Sequence, residues 1–401
     1  MKRILIVSHA MEIGGAERAL LGLLESIDPS RVKVDLFLLR HEGELMELIP
    51  DYINVLPAIP AYTVLGRPVA QTVKEGFLFL SLARVMGKYA AQRYNKKHQL
   101  SDSAVALEYS HKYTKIFMPP IQADVVYDLA VSFLIPHYFV AEKVKAKKKI
   151  AWIHTDYSAL QVNSESELEM WSAFDYIASI SDSVTESFLK VFPALRDKII
   201  LIENMLPKAL IAKQASAYTV EKEMPPDGSI KLLTIGRFSY AKKMEDIPEL
   251  CRRIRASGLN VKWYLVGYGG EEDRIRHMIS EAGMQEYVII LGKKDNPYPY
   301  IKACDLYVQP SRYEGNCVTV REAQLLARPV VITRYATSSS QLEEDVDGII
   351  VPMDTEACAK GIAELLRNPQ KMQQLSEICS KRDYTNAQET DKIYRLIEGQ
   401  L

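Results

Sequence analysis

The feature that most constrains this chain is an alternation that runs twice along it. Short runs rich in Val, Ile, Leu and aromatics, RILIVSH, VKVDLFLL, VVYDLAVSF, KKIAWIHT, YIASIS and KIILIEN, are separated by longer amphipathic stretches. Such runs read as strands, and strands alternating with helical patterns read as a parallel sheet with crossover helices. A breaker cluster, Pro225, Pro226, Asp227 and Gly228, interrupts the rhythm, and the series then starts over with IKLLTIGRF, VKWYLVGYG, YVIILGK, DLYVQPS, RPVVITR and GIIVPM. At 401 residues the chain is long for one hydrophobic core. The expectation is an α/β protein of two doubly wound domains facing a cleft: residues 1–205, a linker at 206–229, a second domain at 230–370, and helices over 371–401. Open parallel sheets of this kind bind ligands beyond the carboxyl ends of their strands, so the loops there are where chemistry should sit.

Within the first series, Ala16 to Ile27 reads as a helix, with Ala19, Leu20, Leu23, Leu24 and Ile27 on one face. The segment 67–115 does not follow the rhythm. It holds nine basic and three acidic residues, and sets Arg84, Lys88, Arg93, Lys96 and Lys97 among Phe77, Leu78, Phe79, Leu80, Leu82, Val85, Met86 and Tyr89. A helical insertion with this composition either lies on an anionic membrane surface or packs on its own domain with a solvated basic face.

Charge elsewhere is balanced, with 50 Lys plus Arg against 51 Asp plus Glu, which offers no footprint for nucleic acid. The five cysteines, Cys251, Cys304, Cys317, Cys358 and Cys379, have no C-x-x-C spacing, so neither a zinc site nor a disulfide framework is suggested. A reducing cytoplasm fits them. The apolar run Ile4 to Val7 is too short for a signal peptide, and no stretch reaches the length of a membrane span. We therefore expect a cytoplasmic protein, free in solution or peripheral on the inner face of the cell membrane.

Four stretches could carry chemistry. Gly14 and Gly15 follow the first strand and open the first helix, where glycines either let amides approach an anion or simply make a tight turn. In TIGRFSYAKKM, Arg237 and Lys242 leave the end of a strand; two fixed cations suit a diphosphate, and the alternative is a basic loop that meets water. In SRYEGNCVTVREA, Glu314 and Glu322 stand eight positions apart. With a helix starting after Gly315 they lie on the order of 10 Å apart. That is wider than the paired carboxylates of glycosidases, and it fits the two ends of an extended ligand whose diphosphate meets the amides of Gly315, Asn316 and Cys317. The alternative is a capping glutamate and a solvated one. His154 ends the run AWIHT, where a lone histidine is often structural.

Taken in order, GGAER, IHTD, SDS, GRFSYAKKM, GYG and EGNCVTVRE resemble the retaining glycosyltransferases of family 4, of GT-B fold with two Rossmann-like domains. The resemblance implies that Gly14 and Gly15 contact the donor phosphates, that Arg237 and Lys242 neutralise the departing diphosphate, that Glu314 holds the transferred sugar and that Glu322 binds the ribose. It adds Gly267, Gly269, Gly315, Asn316, Cys317 and Val318 to the donor site, and His154 as a sugar contact. It implies a nucleotide-sugar donor, with uridine as the base, and a glycan or polyprenyl-linked acceptor. IHTDY and EGN resemble enzymes that build capsular or exopolysaccharide repeats. No metal and no resident cofactor are implied, and the C-terminal helices would cross back to the first domain.

Two positions depart from the family pattern: Arg328 stands where glycine is usual, and Gln341 where glutamate is usual. Asp345, Val346 and Asp347 spell a D-x-D metal motif, but Gly348 follows at once and a turn is the better reading. Other classes compatible with the fold are a sugar-nucleotide epimerase and a silent scaffold homologue. The family's two glutamates argue against the first, and the intact Arg237, Lys242, Glu314 and Glu322 against the second. A dehydrogenase is weaker still, since GYGGEE is a fragment of the dinucleotide fingerprint.

Overall fold

A computed structural model describes residues 1–100, 103–314 and 317–400. The chain divides into two compact units, Met1–Met205 joined by the segment from Ala387 onward, and Leu206–Asn386. The first unit holds seven parallel strands: β1 (Lys2–Ser8), β2 (Val32–Leu38), β3 (Asn54–Val55), β4 (Tyr127–Ser132), β5 (Ala146–Ile153), β6 (Tyr176–Ser179) and β7 (Ile199–Leu201). Their order is β3-β2-β1-β4-β5-β6-β7. The second holds β8 (Ile230–Ile235), β9 (Val261–Val266), β10 (Val288–Gly292), β11 (Leu306–Gln309), β12 (Val330–Thr333) and β13 (Ile349–Val351), in the order β10-β9-β8-β11-β12-β13. Both are Rossmann-like sheets in which the strand order reverses once, between β1 and β4 and between β8 and β11.

The two faces of the second sheet show why its strands read as continuous apolar runs. Leu232, Val261, Trp263 and Leu265 enter one buried cluster, while their neighbours Leu233, Ile235, Tyr264 and Val266 enter another. A sheet buried on both faces needs apolar residues at every position rather than at every second one. Thr234, polar in the buried middle of β8, is satisfied: its hydroxyl donates to the Val308 carbonyl at 2.6 Å and accepts from Trp263 Nε1 at 3.0 Å.

Three boundaries differ from the sequence expectation. Residues 206–229 are not a linker. They include the helix Lys208–Ala215, and Leu206, Ile211, Ala215, Val220 and Met224 are buried in the second unit's core with Leu233 and Ile301. The breaker cluster is the turn into β8, where Asp227 accepts hydrogen bonds from the amide and hydroxyl of Ser229. The helix Pro369–Lys381 also stays in the second unit, burying Leu375 and Cys379. What joins the first unit is the tail with the helix Thr390–Glu398. There Tyr394 accepts a hydrogen bond from the Asp28 amide at 2.7 Å, Lys148 donates to the Leu396 carbonyl, and Lys392 donates to that of Leu201.

The insertion consists of the helices Val69–Lys74, Leu78–His98 and Val105–Thr114. Helix Leu78–His98 turns small residues inward, Ser81, Ala83, Gly87 and Ala91, together with Leu80. A Cβ on Gly87 would lie 2.8 Å from the Tyr109 carbonyl oxygen, so glycine there permits close packing on the third helix. Arg84 is structural as well, because its guanidinium donates to the carbonyls of Val64 and Arg67 at 2.6 and 2.7 Å. Among the described residues no helix is long and apolar enough to cross a membrane.

Candidate functional site

In the second unit β8 and β11 pair directly, and the chain leaves them in opposite directions across the sheet. The loops beyond their carboxyl ends therefore border the crevice where such sheets take ligands. Arg237 and Lys242 lie in the loop after β8, and Ser311 to Glu314 in the loop after β11.

Lys242 Nζ meets Glu314 Oε1 at 2.6 Å, in a pair whose side chains are 20% and 10% exposed. Burial pulls the lysine pKa down, but the facing Cys317 and Glu314 more than reverse this and push it up to about 12. The Cys317 thiol is itself raised to about 11 by burial, so at neutral pH the Glu314 carboxylate is what holds the lysine's charge. Glu314 is fixed from several sides. Ser311 donates to the same Oε1 at 2.5 Å, Gln309 donates to Ser311, and Thr337 donates to the Glu314 carbonyl at 2.8 Å. Its Oε2 has no partner among the described residues. Arg312 ties the two loops together: its amide donates to the Ala241 carbonyl, and its guanidinium donates to the Tyr240 carbonyl and pairs with the buried Glu245 at 2.7 Å. Arg237 is exposed beside this pair, close enough for its charge to oppose that of Lys242.

Not every expected residue offers what the sequence suggested. Cys317 is the N-cap of the helix Val318–Leu325, and its amide donates to Gln341 Oε1 at 2.7 Å, so that amide is already taken. Gln341, which departs from the family pattern, thus holds the end of this helix. Val318 packs against the core. Gly315 and Asn316 lie outside the described residues. Glu322 is fully buried on the same helix, and Tyr298 donates to its Oε1 at 2.8 Å. It is walled off from solvent in this structure.

Gly267 and Gly269 serve the loop after β8. A Cβ at Gly267 would lie 1.9 Å from the Gly236 carbonyl oxygen, and one at Gly269 2.3 Å from that of Phe238; both have positive φ. These glycines let the turn after β9 lie against the Arg237 loop, where Phe238 donates to the Tyr268 carbonyl. The Gly267 amide donates to the Gly292 carbonyl. Asp345 to Gly348 form a turn in which the Asp345 amide donates to the Gly348 carbonyl at 2.9 Å. The Asp347 carboxylate accepts from the Glu343 amide and pairs with Arg382.

In the first unit, Gly14 is the extended N-cap of the helix Gly15–Ser26, one residue away from the expected Ala16–Ile27 at each end. The Glu17 carboxylate bends over this end: a Cβ on Gly14 would lie 2.1 Å from its Oε2. Burial raises the Glu17 pKa, and a hydrogen bond with its own backbone partly offsets this. An anion reaching this helix end would have to displace that carboxylate. Nothing lies within 4 Å of a Cβ on Gly15. His154 directly follows β5 and packs 4.5 Å from the Phe133 ring. Burial lowers its pKa to about 3, and its buried Nε2 has no hydrogen-bond partner among the described residues. A neutral imidazole with an open nitrogen suits a sugar hydroxyl.

Comparison with known proteins upholds the glycosyltransferase resemblance. Residues 219–382 match the family described as glycosyl transferases group 1. Over 164 residues the chain is 24% identical to the N-acetylgalactosamine-N,N'-diacetylbacillosaminyl-diphospho-undecaprenol 4-alpha-N-acetylgalactosaminyltransferase of Campylobacter jejuni, covering 40% of this chain and 43% of that protein. It is 26% identical over 161 residues to the putative colanic acid biosynthesis glycosyltransferase WcaL of Salmonella typhimurium, covering 37% and 39%. The chain thus spans about two fifths of the length of these curated relatives. Among solved structures, Anabaena HepE in complex with UDP and glucose superposes with a TM-score of 0.68 at 16% identity, over 99% of this chain and 100% of that one. TarM gives 0.63 at 14% identity, over 99% of each. The fold is GT-B.

Proposed function

We propose that this protein is a retaining, metal-independent glycosyltransferase. It moves a sugar from a nucleotide-sugar donor, a UDP-sugar, to a glycan or polyprenyl-linked glycan acceptor in polysaccharide biosynthesis. The observation that carries this reading is the Lys242–Glu314 pair at the point where the second sheet reverses its strand order, with Arg237 exposed beside it. The crystal structure of HepE with UDP and glucose supports uridine, and the acceptor in the name of the Campylobacter jejuni relative supports a polyprenyl diphosphate carrier. Five free, buried cysteines suit a reducing cytoplasm.

The chemistry asked of the site is charge stabilisation. As the bond from the anomeric carbon to the phosphate oxygen breaks, the sugar becomes oxocarbenium-like and negative charge grows on the leaving oxygen. Fixed cations at that oxygen lower the barrier because they need no reorganisation. Lys242 has three ammonium protons; one goes to Glu314 and a second faces Cys317 Sγ at 4.0 Å, so one remains for a phosphate oxygen. Arg237 adds a forked donor. Glu314 does two things in this reading: Oε1 positions Lys242, and Oε2 accepts a hydrogen bond from the transferred sugar. The acceptor hydroxyl attacks from the leaving-group face, and the departing phosphate takes its proton, so the anomeric configuration is kept. Neutralisation by Lys242 and Arg237 makes a divalent cation unnecessary. The roles of Gly14, Gly15 and His154 at the donor phosphates and sugar belong to the same proposal. Glu322, fully buried and bonded to Tyr298, has to be uncovered to reach a ribose.

The test is transfer from α-linked UDP-sugars, in chelator, to polyprenyl-diphosphate-linked saccharides, with the product's anomeric coupling read by NMR. An α-linked product supports the proposal, and a β-linked product overturns the retaining mechanism.

A further inference from the structure

The helix Leu78–His98 is built inside out. Its inward face carries small residues, while Leu78, Phe79, Leu82, Val85, Met86 and Tyr89 are 50 to 68% exposed. At 100° per residue these six fall within an arc of about 120°. Phe79 stacks on Phe117, and Phe117 and its neighbour Ile116 are themselves 47% and 73% exposed. The patch therefore extends beyond one helix. In the next two turns the same arc continues as Arg93, Lys96 and Lys97, all exposed, and the helix contains no acidic residue.

We propose that this face docks the protein on an anionic lipid bilayer, with the helix lying in the plane of the interface. Single exposed apolar residues are ordinary on a soluble protein, but a contiguous stripe of large ones marks a binding surface. Two features select lipid as the occupant. Apolar side chains on one arc can sink to the acyl boundary while the cations that follow reach phosphate headgroups, the layout of an interfacial helix. A second copy would bring the same arc, and neither helix would offer a carboxylate to the other's cations. Arg84, which the sequence grouped with the basic residues, takes no part because backbone carbonyls hold it. The proposal does not depend on the reaction assigned above.

The experiment is cosedimentation of the full chain with vesicles of phosphatidylcholine alone and of phosphatidylcholine mixed with phosphatidylglycerol. Two triple variants accompany the wild type: Leu82→Gln/Met86→Gln/Tyr89→Gln and Arg93→Gln/Lys96→Gln/Lys97→Gln. Glutamine keeps helix propensity, and all six sites are exposed, so unchanged circular dichroism and melting temperature serve as the fold control. The expected result is binding to the anionic vesicles that weakens in raised salt. The charge variant should lose roughly 100-fold in partition coefficient and the apolar variant a similar factor. No binding by the wild type, or binding that neither variant changes, overturns the proposal. So does a concentration-dependent dimer, seen by sedimentation velocity and abolished in the apolar variant, which would make the face a self-association surface.

Discussion

Replacing Lys242 with methionine keeps most of the side chain's volume and removes its charge, leaving the Glu314 carboxylate with Ser311 in a setting where it is 10% exposed. The strength of the pair follows from the lysine. Its pKa stands at about 12 instead of 10.5, raised by the facing Cys317 and Glu314 together against burial; at 1.36 kcal/mol per pH unit the share belonging to Glu314 is on the order of 1 kcal/mol. Because the folded value is the higher one, this contribution is complete below pH 10.5 and disappears as pH rises through about 12. Lys242→Met should cost about 3 kcal/mol at pH 7, since it also strands a buried carboxylate. Glu314→Gln should cost less, and the double variant should return about 1 kcal/mol relative to the sum of the two singles. The assay is urea unfolding of the four proteins, followed through the second unit's Trp263. A coupling below about 0.5 kcal/mol would refute the pair. In turnover, Lys242→Met should lose about 100- to 1000-fold, the usual effect of removing one preorganised donor from a developing negative charge.

Three further outcomes are expected. Glu314→Ala should lower turnover far more than UDP affinity, measured as kcat against calorimetric Kd; equal losses would remove Glu314 from the sugar end. Gln341→Ala should destabilise the second unit by about 1–3 kcal/mol by leaving the buried Cys317 amide without an acceptor, whereas Gln341→Glu should restore most of that in a thermal melt. His9 and His154 are held neutral by burial, with pKa values of about 4 and 3, so unfolding takes up protons as pH falls below 6.5. The first unit should lose about 2 kcal/mol per histidine between pH 6.5 and 5. Their ring resonances should not titrate over that range in the folded protein.

The strand series could be read from the sequence because buried parallel strands leave a compositional trace wherever they are three residues or longer. β3, with two residues, leaves none, and the sequence reading has six strands where the first sheet has seven. Residues 206–229 read as a linker in the sequence because a Pro-Pro-Asp-Gly turn into a strand looks the same as a boundary between domains, while the buried positions before it are too widely spaced to show a period. The insertion helix shows a limit of a different sort. Six large apolar residues fall on one arc, but packing on Gly87 and Ala91 sends the small residues inward and the large ones out. At the site, residue types and loop positions were legible. The 72-residue separation between Lys242 and Glu314 hid their hydrogen bond, and nothing in the spacing showed that Glu322 lies beneath Tyr298. Gln341 looked like a departure from a pattern because its partner, a backbone amide, has no signature in sequence.

The most direct test of the central claim is calorimetric titration of UDP, GDP and ADP into the full chain in the presence of EDTA, repeated with Lys242→Met. The account predicts that UDP binds without metal, and that the substitution weakens binding while the fold is retained. It is contradicted if none of the three nucleotides binds, or if binding appears only when a divalent cation is returned.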